Sequence, residues 1–334
     1  MDEDSKWFKR FFAYFYACIH GFKYCRPMLF VDGTFLKSKY KGQLLAATAK
    51  DGNQVVIIDS ETEDNWRWFF ENLLEIVGDD RQITVISDRN NVLKSVLPKV
   101  FPTAYYAYCL HHLKINLRDK VRGHKSYKEC IVYLFHECTY APTKYKFQDK
   151  LSDLLLEGKE QVGYFLNDCP FQCWANAYFQ GQRYGEMCLN VAESFNAWIK
   201  EARFLPITNL VDMIRSQIMG QMCTRRLEAS SWNIVLCSKI DERLGKELDK
   251  RRTWRVSMLS DRAFEVHSHL SVTVDIGVGM CTCCQWQLNG FPCSHAIVAI
   301  QSSGGDINDY VEDYFTLLIF RHLIRRPFSP FQRP

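Results

Sequence analysis

The sequence feature that most constrains this chain is a group of three cysteines and one histidine near its end. Cys281-x-Cys283 is followed by nine residues and then by Cys293-x-His295. Three thiolates and one imidazole fill the four tetrahedral positions of a structural zinc site. Because a complete ligand shell leaves no position for a substrate, the sequence predicts a Zn2+ ion that stabilises the fold and takes no part in catalysis.

The residues around this group indicate its local structure. The apolar run 296–300 begins directly after His295 and predicts a helix, while the alternation of apolar and polar residues over 264–276 predicts a β-hairpin. Cys284 stays open as a replacement for Cys283, although the spacing of the second pair favours Cys283. The alternative is four buried or disulfide-bonded cysteines beside an unrelated histidine. A turn at 290–292 between two pairs of ligands argues against it.

Composition limits the class of protein. A chain of 334 residues with 47% hydrophobic residues can bury a sizeable core, and its net charge of +4 permits nucleic-acid binding without arguing for it. Fourteen cysteines without a signal-like start indicate a reducing compartment, the nucleus or the cytosol. No apolar run approaches the ~20 residues of a membrane span, and we interpret 7–24 as an amphipathic helix.

The first third of the chain alternates strand and helix patterns. Predicted strands cover 28–34, 44–49, 55–58, 83–88 and 104–108, and predicted helices cover 64–77 and 93–100. Three strands, a helix, a strand, a helix and a strand is the element order of a ribonuclease H-like α/β fold. We therefore expect an α/β, ribonuclease H-like core, with a third strand that is shortened to 55–58.

Carboxylates end two of these strands. In a ribonuclease H-like fold the first and fourth strands are parallel neighbours, so Asp32 and Asp88 would lie side by side and form a divalent-metal site. A third carboxylate, Glu193, lies on a later predicted helix, 190–199. The apolar seam of that helix is expected to contain Val191, Phe195, Trp198 and Ala202.

Two parts of the sequence resemble known families. The stretch 281–295 resembles a SWIM zinc finger, the module at the C-terminal end of Mutator-like transposases and their domesticated plant relatives. Five further segments are similar, in order and kind, to the Mutator-like (MULE) transposase domain: 25–34, 39–42, 86–89, 109–113 and 192–196. This resemblance implies that Asp32, Asp88 and Glu193 form a DDE triad that binds Mg2+ or Mn2+. It also implies that Cys109 and His112 form the family's Cys-x2-His signature.

The role of Cys109 and His112 stays open from the sequence. Their spacing suits half of a zinc site on one helical turn, but packing beside the active site is the favoured interpretation, and His111 is the less favoured partner. Basic residues follow in the predicted helical insertion, where they would contact phosphates or form a solvated face. These residues are Lys114, Arg118, Lys120, Arg122, Lys125 and Lys128.

The expected organisation follows from the resemblance. We expect an N-terminal helix over 1–25, the transposase domain over 26–205 and its helical insertion over about 113–187. A helical linker is expected over 206–260, the zinc finger over 261–303 and a C-terminal tail over 304–334.

Three functions are consistent with this sequence. The favoured one is a zinc-binding, transposase-derived nuclear protein associated with DNA, in which the short third strand argues against catalysis. The second is an active DDE transposase that performs Mg2+-dependent cleavage and strand transfer. The third is a non-catalytic transcription regulator or interaction module of the far-red-response type. Expected partners are DNA, a further copy of the chain or other proteins, with no membrane and no small-molecule substrate.

Overall fold

The chain folds into two compact units. The computed structural model describes residues 10–37, 42–50, 52–58, 61–78, 80–249 and 254–324. The first unit comprises Met1–Ile115, Met187–Ser231 and Arg321–Pro334, and the second comprises Asn116–Glu186 and Trp232–Phe320. Helices accompany a sheet in each unit, so the expected mixed α/β class is confirmed.

A six-stranded sheet organises the first unit. Its strands in chain order are β1 (Arg10–Ala13), β2 (Met28–Phe35), β3 (Gln43–Ala49), β4 (Gly52–Ile58), β5 (Thr84–Ser87) and β6 (Tyr105–Tyr108). The spatial order is β1-β4-β3-β2-β5-β6. Strands β1 to β4 pair antiparallel, whereas β5 pairs parallel with both β2 and β6. In this register Val31 lies opposite Ser87, so the residues that follow them are adjacent.

Strand β4, the third strand predicted from the sequence, is longer than the sequence indicated. Strand β4 pairs with β3 over its whole length, from Ala49 opposite Gly52 to Gln43 opposite Ile58. The expectation of a strand shortened to 55–58 is therefore wrong. Gly52 and its polar neighbours do not carry a strand pattern, and it is hairpin pairing with β3 that keeps them extended.

The N-terminal segment is also different from the expected helix over 7–24. Strand β1 (Arg10–Ala13) pairs with the free edge of β4, and only α1 (Tyr16–Phe22) is helical, while residues 7–9 lie outside the described residues. Aromatic residues at close spacing suit a strand as well as a helix, and the open sheet edge supplies the hydrogen bonds that decide between them.

The further helices of the first unit bury apolar side chains. They are α2 (Glu63–Val77), α3 (Asn91–Val100), the first turns of α4 (Leu110–Lys120), α7 (Asn190–Trp198) and α8 (Ile207–Ser230). Thr62 and Asn90 cap α2 and α3 through their side-chain oxygens. Helix α7 buries Ala192, Phe195 and the following Ile199. Phe195 belongs to the predicted seam, whereas Ala192 and Ile199 each lie one residue after the predicted Val191 and Trp198.

The second unit begins with helices. Helices α5 (Lys125–Tyr140) and α6 (Lys144–Asn167) form an antiparallel pair, and α6 bends at Lys159, whose φ is 48°. The predicted helical character of 113–187 is thus confirmed up to residue 167. From 168 to 189 the described backbone is irregular, apart from one 3-10 turn at Phe171–Cys173.

A four-stranded antiparallel sheet completes the second unit. Its strands are β7 (Arg255–Met258), β8 (Ala263–His267), β9 (Ser271–Asp275) and β10 (Met280–Cys281), in the order β10-β9-β8-β7. The remaining helices are α9 (Ser238–Asp249), α10 (Gln285–Asn289), α11 (Ser294–Ser302) and α12 (Leu317–Ile324). The predicted hairpin over 264–276 and the predicted helix after His295 are both present.

Two expected boundaries differ from the structure. The predicted helical linker 206–260 contains α8 and α9 but ends in β7, which pairs with β8 and so joins the second sheet. The predicted tail 304–334 contains α12. Among the described helices, none is long and apolar enough to cross a membrane.

Candidate metal centres

The cysteines and histidine near the chain end come together in one cluster. Cys281 ends β10, Cys283 lies in the following turn, Cys293 occupies the N-cap of α11 and His295 lies in its first turn. One ligand atom from each of the four lies within 4.8 Å of all the others. We call these four residues the zinc-finger cluster.

The distances inside the zinc-finger cluster suit a tetrahedral ion. Cys283 Sγ lies 3.5 Å from Cys293 Sγ, which lies 4.0 Å from His295 Nδ1. Zinc–sulfur bonds of about 2.3 Å place two sulfurs ~3.7 Å apart around a tetrahedral ion, so the donor set and its spacing both fit Zn2+.

The thiols of the zinc-finger cluster share protons unevenly. Hydrogen bonds with Cys281 and Cys293 lower the pKa of Cys283. The hydrogen bond to Cys283 raises the pKa of Cys281 to about 12, and hydrogen bonds to Cys281 and Cys283 together with burial raise the pKa of Cys293. A cation that replaces the shared protons therefore lets all three sulfurs bind as thiolates.

The structure distinguishes Cys283 from Cys284. Cys284 has a left-handed backbone with φ of 61°, lies outside the zinc-finger cluster and directs its sulfur toward the Thr282 carbonyl at 3.8 Å.

Gly290 after α10 also has a positive φ, 77°, and an added Cβ would approach Tyr184 Cδ1 to 2.9 Å. Glycine is therefore required where the chain turns back toward Cys293.

Apolar packing surrounds the zinc-finger cluster. The ring of Trp254 stacks on the ring of His295, with centroids 4.7 Å apart and planes at 13°. Phe264, Val274 and Ile300 belong to the same buried core as Cys281 and Cys293. Ser294 hydrogen bonds to Glu247 of α9, which fixes the start of α11.

Carboxylates gather at one edge of the six-stranded sheet. Asp32 lies in β2, and Asp88 directly follows β5, its parallel neighbour. Asn196 of α7 donates through Nδ2 to Asp32 Oδ2 at 2.8 Å. The Asn90 backbone N–H donates to Asp88 Oδ1 at 3.3 Å. The prediction that Asp32 and Asp88 are neighbours is therefore confirmed.

Burial and crowding make these carboxylates hard to ionise. Burial, together with the charges of Asp88 and Glu193, raises the pKa of Asp32 to about 6, despite the Gly33 backbone hydrogen bond and His112, which act in the opposite direction. Burial also raises the pKa of Asp88, against the effect of His112. A divalent cation would remove this penalty, and carboxylate oxygens are the ligands that Mg2+ prefers.

A further carboxylate at this edge was missed by the sequence analysis. Burial, Asp88 and Asp32 raise the pKa of Glu61, whose Oε2 accepts from Asn90 Nδ2 at 3.4 Å. Its Oε1 would lie 2.5 Å from a Cβ at Gly33. Glu61 precedes α2 in a run of polar residues, so no sequence signal separates it from a solvated residue. We call Asp32, Glu61 and Asp88 the carboxylate edge.

Glu193, whose charge reaches Asp32, also has neighbours outside the predicted triad. Its carboxylate lies within 4.8 Å of Cys109 Sγ and a ring nitrogen of His112. Among the described residues, this group and the zinc-finger cluster are the two sets of three or more potential ligands that meet this limit, and neither contains Asp32 or Asp88. Interaction with the Cys109 sulfur, and then the charges of Cys109, Asp88 and Asp32, raise the pKa of His112 to about 9 against the effect of burial.

The basic residues of the predicted insertion are partly engaged within the protein. Lys125 pairs with Glu129 at 3.9 Å, Lys128 donates to the Arg118 carbonyl, and Lys120 lies over the Phe165 ring. The guanidinium groups of Arg118 and Arg122 belong to exposed residues. Some of the predicted basic side chains of the second unit are therefore exposed to solvent, while others interact with residues of the protein.

Comparisons with known proteins agree with this arrangement. The model of the MULE transposase domain matches residues 28–116, and the model of the SWIM zinc finger matches residues 272–304. The chain is 20% identical over 335 residues to Protein FAR1-RELATED SEQUENCE 4 of Arabidopsis thaliana. That alignment covers 86% of this chain and 44% of the relative, so the chain spans less than half of the relative's length. The predicted resemblance is confirmed: the chain combines a transposase-derived domain with a zinc finger.

Proposed function

We propose that this transposase-derived chain associates with DNA in the nucleus and binds a divalent cation at its carboxylate edge. The observation that carries the proposal is the parallel pairing of β2 with β5, which brings the half-buried carboxylates Asp32 and Asp88 together. Buried acids that repel one another are unfavourable in a structural role and suitable for a metal site.

The strand arrangement supports a ribonuclease H-like core. Three antiparallel strands, β4, β3 and β2, continue into two parallel strands, β5 and β6. Asp32 on β2 and Asp88 after β5 then correspond to the first two carboxylates of the family triad, with Glu193 of α7 as the third. The full length of β4 removes the argument against catalysis that the sequence presented.

Each residue has a defined task in this proposal. Asp32 and Asp88 hold Mg2+ or Mn2+, with Glu193 as the third ligand, and Asn196 orients the Asp32 carboxylate through its 2.8 Å hydrogen bond. Glu61 adds negative charge beside both aspartates. Divalent ions at such a site activate the attacking oxygen and stabilise the leaving oxygen of a scissile phosphate.

The zinc-finger cluster has a separate, structural role. Zn2+ bound by Cys281, Cys283, Cys293 and His295 fastens the turn after β10 to the start of α11. A closed shell of three thiolates and one imidazole holds the fold and offers no open position for a reaction.

A second candidate function is a non-catalytic regulator or interaction module. The position of Glu193 favours it, because in this structure that carboxylate lies with Cys109 and His112 and outside a close group with Asp32 and Asp88. A chain that binds DNA without cutting it would need zinc at the zinc-finger cluster and no Mg2+ at the carboxylate edge.

The test is a cleavage and end-joining assay on supercoiled DNA with Mg2+ or Mn2+, with DNA binding measured by anisotropy at several salt concentrations. Asp88→Asn removes one proposed metal ligand, and Asp80→Asn is the matched control at an exposed position of the same unit. Activity that Asp88→Asn abolishes and Asp80→Asn keeps supports the enzyme. Salt-dependent binding without cleavage supports the regulator, and a chain that neither binds nor cuts DNA contradicts both.

A further inference from the structure

Two helix starts of the first unit meet at a group of soft and hard metal ligands. Cys109 directly precedes α4 and His112 lies in its first turn, while Cys188 precedes α7 and Glu193 lies in its first turn. The Leu110 backbone N–H donates to the Met187 carbonyl at 2.8 Å, which joins the two segments directly. We call Cys109, His112, Cys188 and Glu193 the thiol-imidazole cluster.

Three members of the thiol-imidazole cluster have the spacing of a metal site. Ligand atoms of Cys109, His112 and Glu193 all lie within 4.8 Å of one another, the same limit that encloses the zinc-finger cluster. The side chain of Cys188 hydrogen bonds to Cys109, so a second sulfur is in contact with the group. Three ligand atoms therefore meet this limit, and the Cys188 sulfur, which lies outside it, is the fourth donor beside them.

A backbone N–H faces each of the two sulfurs, while the hydrogen bond with Cys188 and burial raise the pKa of Cys109. The Leu189 backbone N–H donates to Cys109 Sγ at 3.3 Å, and the His111 backbone N–H donates to Cys188. Donors of this kind, at the beginning of helices, favour the ionised sulfur that binds a metal. Cys109 is buried and Cys188 is half-buried, so an ion here would be shielded from bulk water.

The imidazole also has a free ligand atom. His112 Nδ1 is buried and has no hydrogen-bond partner within the described part of the chain. A buried ring nitrogen without a partner costs free energy, which coordination to an ion would recover.

We propose that Cys109, His112, Cys188 and Glu193 bind a second Zn2+ ion, distinct from the ion of the zinc finger. Two sulfurs and an imidazole select a soft or borderline transition metal over Mg2+. Glu193 completes the shell as an oxygen ligand. The sequence alone indicated half of this site, Cys109 and His112, because the other half lies on a segment that only the fold brings near.

The site has a consequence for the carboxylate edge. Glu193 bound to this ion is not available to a cation at Asp32 and Asp88. Zn2+ and the proposed catalytic cation would therefore compete for the Glu193 carboxylate. The inference does not rest on the proposed function, because zinc binding by this cluster is measured without DNA.

The test is the zinc content of the reduced full-length chain, measured by elemental analysis after gel filtration. We expect two equivalents in the wild type, one in Cys188→Ser, one in Cys283→Ser and none in the double variant. Cys138→Ser is the matched control, because Cys138 is a buried free cysteine outside both clusters, and it should keep two equivalents. A wild type with one equivalent, or a Cys188→Ser variant that keeps two, overturns the proposal.

Cobalt substitution identifies the ligands independently of the amount bound. In the Cys283→Ser background, which retains only the proposed site, Co2+ should give tetrahedral d–d bands and a sulfur-to-cobalt charge-transfer band. Addition of Cys188→Ser should abolish both sets of bands, in line with the loss of metal expected for the double variant. A Cys283→Ser chain with native circular dichroism and no such spectrum also overturns the proposal, and His112→Gln checks the imidazole in the same way.

Discussion

The zinc-finger cluster and the carboxylate edge are two candidate metal centres built in opposite ways. The ligands of the first lie between Cys281 and His295, on short elements at one end of a four-stranded sheet. The residues of the second, Asp32, Glu61 and Asp88, come from separate elements around a six-stranded sheet. The first is a closed set of soft ligands, and the second is an open set of hard ones.

The two regions therefore depend on a bound ion to different extents. The zinc finger contains short strands and a small apolar core, so a bound zinc ion would supply much of its folding free energy. The carboxylate edge lies on a sheet whose central strands bury residues such as Phe30, Val31 and Leu44. That unit folds on apolar burial, and its metal site costs stability when it is empty and ionised.

The largest expected effect is loss of the zinc ion. Cys293→Ala should unfold residues 262–302 and leave the six-stranded sheet folded, because structural zinc contributes on the order of 10 kcal/mol to such modules. Hydrogen exchange of the full-length chain, with zinc quantified, checks this. Cys284→Ala is the control and should keep both zinc and protection. Equal protection in Cys293→Ala would show that apolar packing alone holds the finger.

The next effect sharpens the contrast at the carboxylate edge. The raised pKa of Asp32 means that its stabilising contribution is complete below pH ~4 and is lost as pH rises through about 6. Asp32→Asn removes this dependence, so without divalent ions the variant should be more stable than the wild type at pH 7.5, by roughly 2–3 kcal/mol. The two proteins should converge at pH 4.

Denaturant unfolding at a series of pH values, with EDTA or with Mg2+, measures this difference. Mg2+ should stabilise the wild type and not Asp32→Asn, because only the wild type gains a partner for the ionised carboxylate. A variant that is less stable than the wild type at pH 7.5 in EDTA would contradict the assignment of Asp32 to a strained metal site.

The smallest effect concerns Glu61. Glu61→Gln removes one negative charge beside Asp32 and Asp88 and should weaken Mn2+ binding roughly tenfold, the usual cost of losing a group next to metal ligands. Glu63→Gln is the matched control, since Glu63 is exposed and pairs with Lys99 and Arg67. Isothermal titration with Mn2+ compares the variants, and equal affinities would place Glu61 outside the site.

Much of the fold was predictable because its signals are local. Strand β2 begins with an apolar run, 28–31, and α2 places Trp66, Phe69, Phe70 and Leu73 on one face. The zinc-finger ligands were predictable for the same reason, since their spacing along the chain is the spacing of the site.

The misses share a physical cause. Strand β1 and the full length of β4 form because a neighbouring strand offers unpaired backbone groups, and no residue in 10–13 or 52–54 encodes that neighbour. The register of α7 is set by packing against β2 and β3, where Phe195 and Ile199 join Leu44 and Ala46 in one core. Because apolar residues occur on more than one face of this helix, the sequence pattern alone does not determine which face is buried.

Short-range spacing and strand periodicity are present in consecutive residues, so the sequence was sufficient to predict the candidate zinc ligands and to single out Asp32 and Asp88. Only the tertiary structure decided that Glu61 joins Asp32 and Asp88, and that Cys188 meets Cys109 where α4 and α7 begin. Those contacts join residues far apart in the chain, and the free energy that brings them together comes from burying the apolar surface of the whole unit.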